Sequence, residues 1–229
     1  MFYNGQYFLY IALPTLILSF AVQMYLKSTY SKWAKVRNSA GLTGDKVART
    51  LFDRTSLNPV QMQPVRGAMT DHFDPGANIV RLSESTVGQP SVASMAIAAH
   101  ELGHVQQYQT GSALIKARSM LLPALRFSPM VSYACIFFGI YMNLAGLLWL
   151  GVLFFGLMVV FSLLTLPVEM DASRRGMALL TEAGLMQTDD DRKGARAVLT
   201  AAYLTYLAAA ITAVLQLLYY ISIARRSSR

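Results

Sequence analysis

Charge is what this sequence has least of. Of 229 residues, 14% are Asp, Glu, Lys or Arg and 54% are hydrophobic, whereas about a quarter of an ordinary soluble domain is charged. Cysteine occurs once, as Cys135, which excludes an internal disulfide and a cysteine-based zinc cluster. It reads as a small buried apolar residue. Histidine occurs three times, at His72, His100 and His104. There is no internal repeat and no low-complexity tract. Lys and Arg outnumber Asp and Glu by 20 to 12, a balance that would suit a nucleic-acid partner if the excess were clustered. It is not: 17 of the 20 lie between residues 27 and 196, in the segments that flank the apolar runs, and Arg225, Arg226 and Arg229 close the chain. We therefore expect a lipid bilayer as partner, and no nucleic acid.

Three uncharged stretches account for the missing charge. Met1 to Leu26 has none, with Tyr7–Leu26 as the span; Phe127 to Val168 is 42 uncharged residues, and Ala197 to Ala224 is 28, with Leu199–Ile223 as the span. A bilayer core takes roughly 20 residues of helix, so these lengths predict four transmembrane helices, two of them in a hairpin over 127–168. The first stretch lacks a basic start and a small-residue cleavage site, and Lys27, Lys32, Lys35 and Arg37 follow it. It reads as a retained anchor rather than a signal peptide. The positive-inside rule then places residues 27–126 and 169–196 in the cytoplasm. The arginines at the C-terminus run against that topology, because four spans leave them outside.

Between the spans, residues 28–40 predict a helix leaving the membrane, and Thr43-Gly44-Asp45 begins a short helix through Phe52. Strands are expected at 64–70 and 78–83, turned by Asp74-Pro75-Gly76-Ala77, with Ile79–Ser83 alternating as an edge strand does. Gln89-Pro90-Ser91 starts a further helix with Val92, Met95, Ala96, Ala99, Leu102 and Val105 as its apolar stripe. Residues 112–122 make another helix, leading toward the membrane at Pro123. The run Asp189-Asp190-Asp191 reads as a solvated turn.

The chemistry lies in His100-Glu101-Leu102-Gly103-His104. Residues four apart share a helix face, so both imidazoles can hold one zinc ion, with Glu101 placed to act as general base. A catalytic zinc needs three protein ligands and an open position. The third is His72 or a carboxylate, and Glu169 is the stronger candidate. It follows Pro167-Val168 where the third span ends, and is expected to open a helix there.

Thr70-Asp71-His72-Phe73-Asp74-Pro75, Val80-Arg81-Leu82-Ser83, Ala98-Ala99 with the motif, and Leu166 through Arg175 together resemble the YugP-type family of membrane zinc metallopeptidases. The order of spans and the run Leu199–Ala210 agree, so the resemblance covers essentially the whole chain. It implies a membrane-anchored gluzincin with His100, His104 and Glu169 on zinc and Glu101 as base. More distantly, Glu169–Gly176 is similar to the Glu-x-x-Ala-Asp-Arg segment of HtpX-type and CAAX prenyl proteases. There the acid orients a zinc-bound histidine. This chain instead has Ser173 before Arg174, with Asp171 as the nearest acid, and either Asp171 or Ser173 can serve. His72 and Tyr108 are either structural or donors to a transition-state oxyanion.

The sequence thus predicts a mainly α membrane protein with a small zincin-like α+β region and a short β-hairpin. Its parts are an anchor (1–26), a cytoplasmic catalytic region (27–126), a transmembrane hairpin (127–168), a helix carrying the third ligand (169–196), and a fourth span with a basic tail (197–229). The expected activity is a zinc endopeptidase at the cell membrane, with a peptide or membrane protein as substrate laid along the Ile79–Ser83 strand. The competing reading is a zinc-binding membrane scaffold without proteolysis. A transporter fits poorly, since the uncharged stretches hold no ionisable ion or substrate ligands.

Overall fold

The computed structural model describes residues 5–228. Residues 1–4 of the expected anchor and Arg229 of the basic tail lie outside them. The order of elements is α1 (Gly5–Tyr7), a π-helical turn (Phe8–Ala12), α2 (Leu13–Trp33), α3 (Gly44–Arg54), β1 (Gln61–Val65), β2 (His72–Asp74), β3 (Ile79–Ser83), α4 (Glu84–Gly88), α5 (Val92–Gln109), α6 (Ala113–Leu125), α7 (Ser128–Tyr141), α8 (Ala145–Glu182) and α9 (Asp189–Ser227). This is a mainly α membrane protein with one small mixed sheet. The chain divides into two units. One comprises residues 1–22, 116–167 and 205–229, and the other residues 23–115 and 168–204.

In the first unit the apolar side chains point outward. Leu16 is 68% exposed and Leu153 64%, as lipid-facing residues are in a chain drawn without its bilayer. Among the described residues, three helices are long and apolar enough to cross a membrane: Phe8–Trp33, Ala145–Glu182 and Asp189–Ser227. The expected hairpin over 127–168 takes another form. With 14 residues, α7 reaches only about 21 Å at 1.5 Å per residue, short of a ~30 Å core. It forms with α6 a pair bent by 50°, which makes a fourth span if counted as one. Pro129 near the start of α7 suits a new helix there. Where α7 meets α8, Ile136, Leu148 and Val152 form a small core, and Ser132 donates to the Gly151 carbonyl at 2.9 Å.

The second unit holds the larger core, built from Val47, Leu51, Val80, Leu82, Met95 and Leu102 among others. Its sheet has the order β1-β3-β2, with β1 parallel and β2 antiparallel to β3. Two expectations change here. The first strand sits at 61–65 rather than 64–70, and the hairpin partner of β3 is 72–74. Ile79–Ser83 is therefore the central strand, paired on both sides, and not an edge. Its alternation arises because Val80 and Leu82 face the core while Ile79 and Arg81 are only half-buried. Asp71, which reads in sequence as part of a turn, accepts from the Ser83 amide at 2.7 Å and its hydroxyl at 3.0 Å.

Other boundaries also move. The helix leaving the membrane stops at Trp33, because the loop beyond it is held by Asn38, whose side chain bonds both Leu42 backbone groups and the Ser91 carbonyl. The acidic run is no solvated turn. It begins α9 with acids at the positive helix end, and Asp191, 1% exposed, accepts from the Ser39 and Thr188 amides and hydroxyls. With Thr188 Oγ1 accepting from the Asp191 amide at 3.2 Å, this is a capping box. Nor does Glu169 open a helix. α8 runs through Pro167 without interruption from Ala145 to Glu182.

α5 and α8 meet backbone to backbone. A Cβ on Gly103 would collide with the Ala172 carbonyl oxygen, and one on Gly176 would lie 2.6 Å from the Ala99 carbonyl oxygen. Gly103→Ala is therefore expected to lower stability by about 1–3 kcal/mol. Gly156→Ala, at a helical position with nothing within 4 Å, should be neutral or stabilising by up to about 1 kcal/mol. Thermal unfolding of both variants in detergent checks this, and equal effects would contradict the close contact.

Candidate metal centre

α5 starts where the sequence signals it. Ser91 takes an extended conformation and its Oγ accepts from the Ser94 amide at 3.1 Å, as an N-cap does. The stripe of Val92, Met95, Ala99, Leu102 and Val105 is fully buried, and this burial sets the rotation of the helix. His100 and His104 then lie on its flank, with side chains 16% and 12% exposed. From α8 the Glu169 carboxylate, 4% exposed, approaches both. Its Oε2 lies 3.3 Å from His100 Nε2 and 3.5 Å from His104 Nε2. The three donor atoms all fall within 4.8 Å of one another.

This spacing suits a metal better than a simple ion pair. Ligands held at zinc bond lengths with tetrahedral angles lie roughly 3.3–3.4 Å apart, close to both distances from Glu169. The donor set is also chemically apt, with two imidazoles and one carboxylate. Glu101, 6% exposed, adds a second buried carboxyl, and a divalent cation balances two carboxylates in charge. Without a cation, burial of such groups costs several kcal/mol each. Burial pushes the Glu101 carboxyl above its ordinary range, with the two histidines opposing. For His104 burial acts downward but is outweighed by Glu169 and Glu101, so its pKa rises.

Residues 8–225 match the family described as "Putative neutral zinc metallopeptidase". A relative from Bacillus subtilis (strain 168), named "Putative membrane protease YugP", is 36% identical over 216 residues, covering 94% of this chain and 96% of its own length. The chain belongs to this zinc metallopeptidase family. No solved structure matches it.

The family assignment makes the surroundings of the histidines the next matter, since in a zinc site the second ring nitrogen needs a partner that fixes the tautomer. His100 Nδ1 lies 3.1 Å from Ser173 Oγ, and His104 Nδ1 lies 3.0 Å from Gln107 Oε1. Gln107 is fully buried. Its Nε2 donates to the Val168 carbonyl and to Asp171 Oδ2, both at 2.9 Å. Because those two groups only accept, the amide orientation is determined, and Oε1 must accept from His104 Nδ1–H. Nδ1 thus carries a proton, and Nε2 is the nitrogen that faces Glu169. Asp171 in turn accepts from Arg174 and Arg175 at 2.7 Å each.

The two alternatives for the orienting residue thus divide between the histidines. Ser173 touches His100 directly, and Asp171 reaches His104 through Gln107. Arg174 bonds Asp171 from an exposed position. Sequence reasoning missed Gln107. Its signal is the i+3 spacing from His104 on the motif helix, while its partners Val168 and Asp171 lie more than 60 residues away in the chain. His72 stands outside the metal group. It is exposed on β2, with Nδ1 2.9 Å from the Thr70 carbonyl oxygen and Nε2 3.5 Å from Arg81. Tyr108 is 48% exposed and packs edge-on against Phe73 of β2, centroids 5.8 Å apart. Gln107→Leu keeps the volume while removing the acceptor for His104, and is expected to weaken zinc binding about 10–100-fold. Competition with a chromogenic chelator measures it; unchanged affinity would deny Gln107 this role.

Proposed function

We propose that the protein is a membrane-anchored zinc endopeptidase whose catalytic region, 27–126 with 169–196, faces the cytoplasm. The observation that carries this reading is the convergence of His100, His104 and Glu169 at zinc-like spacing, with Glu101 on the same helix turn. The family supports zinc and proteolysis in general. His100, His104 and Glu169 would hold the ion, which supplies a Lewis acid for the scissile carbonyl and for water activation. Glu101 takes the proton of the attacking water and returns it to the departing amine nitrogen. Ser173 and Gln107 keep the imidazoles from rotating during that transfer. With β3 enclosed, the outer strands of the sheet are β1 and β2, and β2 packs against α5. An extended substrate segment can pair there through main-chain hydrogen bonds. His72 and Tyr108 flank that strand and are the candidates to donate to the oxyanion. Membrane proteins or their segments near the bilayer are the substrates such tethering favours.

The test is cleavage of an unfolded protein by the purified, zinc-loaded chain in detergent, beside Glu101→Gln at equal zinc content. Loss of one general base is expected to cost about 10²–10⁴-fold in rate. A chelator should abolish the activity and zinc restore it. Cleavage by neither protein while both hold zinc would favour a metal-binding scaffold instead.

A further inference from the structure

A second feature lies beside the metal centre and shares Ser173 and Arg174 with its surroundings. Between α8 and α9, in the unit that carries the sheet, a groove of about 230 Å³ is lined by Met170, Arg174 and Met177 from one helix and Arg196, Leu199 and Tyr203 from the other. Two arginines border it and no acidic residue does. Arg174 is 79% exposed and spends one nitrogen on Asp171, leaving its other donors for a ligand. Arg196 is exposed and makes no ion pair among the described residues.

The level of the groove along both helices identifies its occupant. In α8 the uncharged run ends at Val168, and in α9 it begins at Ala197. On α9 the groove straddles this boundary, from Arg196 to Tyr203, and on α8 it begins just beyond it at Met170. The chain leaves the apolar run along α8 and returns to it along α9, so Met170 and Tyr203 lie toward the apolar side and Met177 and Arg196 toward the charged side. A tyrosine at such a boundary is usual for a membrane interface. A ligand that fits has a negative head for the arginines and an apolar body for Met170, Leu199 and Tyr203. A soluble phosphate would satisfy only the arginines.

We propose that this groove binds an anionic phospholipid, with its phosphate on Arg174 and Arg196, Thr200 within reach as a further donor, and its acyl chains along the apolar side. Basic pockets between helices at the membrane surface bind lipid headgroups in this way. Ser173 lines the same groove, which puts the lipid one side chain from His100.

The full chain in mild detergent is titrated with phosphatidylglycerol and with phosphatidylcholine, and bound lipid is read by native mass spectrometry. The readout does not depend on zinc or on cleavage, so it stands or falls apart from the proposed activity. Wild type should prefer phosphatidylglycerol. Arg196→Glu should lose about fivefold or more of that preference, at roughly 1 kcal/mol per basic residue at the surface. Lys193→Glu makes the same charge change on the same helix outside the groove and should retain it. Thr200→Trp, which fills the groove and keeps its charge, should reduce binding even if Arg196→Glu proves unstable. An unchanged preference in both groove variants would overturn the proposal, and so would equal loss in Lys193→Glu. Displacement of the lipid by inorganic phosphate or by an acidic peptide at matching concentration would also overturn it, assigning the groove to that ligand.

Discussion

The direct backbone contact between α5 and α8 is the constraint on which the candidate site depends. Two helices normally pack 8–10 Å apart because side chains hold them off. Here Gly103 and Gly176 remove the side chains at the crossing, so carbonyl oxygens of Ala172 and Ala99 occupy the space a Cβ would take. Only at that separation can a short glutamate side chain on one helix reach imidazoles on the other. Gly103 thus serves geometry in a motif whose other members serve chemistry. The small residues around it, Ala99 and Ala172, are fully buried for the same reason.

Once the helices are that close, the polar groups between them must be satisfied without water. The arrangement handles this in two branches. Ser173 lies one helical turn beyond Glu169 and meets His100, while Gln107, three residues after His104, bridges that histidine to the Val168 carbonyl and to Asp171. Arg175, bonded to both Asp171 and Gln106, closes the second branch from α8 back to α5. These contacts align the rings and lock the two helices in register. A change in any one of them therefore bears on both metal affinity and packing, which is why an isosteric replacement is more informative than truncation.

The membrane imposes a second division of labour. Many apolar residues of the span unit are exposed because lipid, not protein, is their partner, and a small cluster around Leu148 is buried there. The sheet-bearing unit follows soluble rules instead, with a core of fully buried aliphatics. α2, α8 and α9 each belong to both regimes along their length. Their patterning changes character where charge first appears, and the candidate lipid groove lies at that change, straddling it on α9 and beginning just past it on α8.

The sequence by itself determined much about this protein. Long uncharged stretches require bilayer burial, and a pair of histidines four apart with a glutamate between them has few uses other than metal chemistry. Helix starts at Ser91 and Thr43 were legible because their signals are local: Ser91 caps an amide three residues on, and Thr43-Gly44-Asp45 puts an acid in the first turn. The tertiary structure decided what depends on distant partners. Which strand is central could not be read from Ile79–Ser83, because alternation reports one buried face and says nothing of hydrogen bonds at the strand edges. The burial of Asp191 depends on Ser39, and the role of Gln107 on Val168 and Asp171, partners far away in the chain. That Glu169, rather than His72, meets the two histidines follows from a helix crossing set by two glycines. No local periodicity encodes that contact, since its energy resides in the packing of one backbone against another.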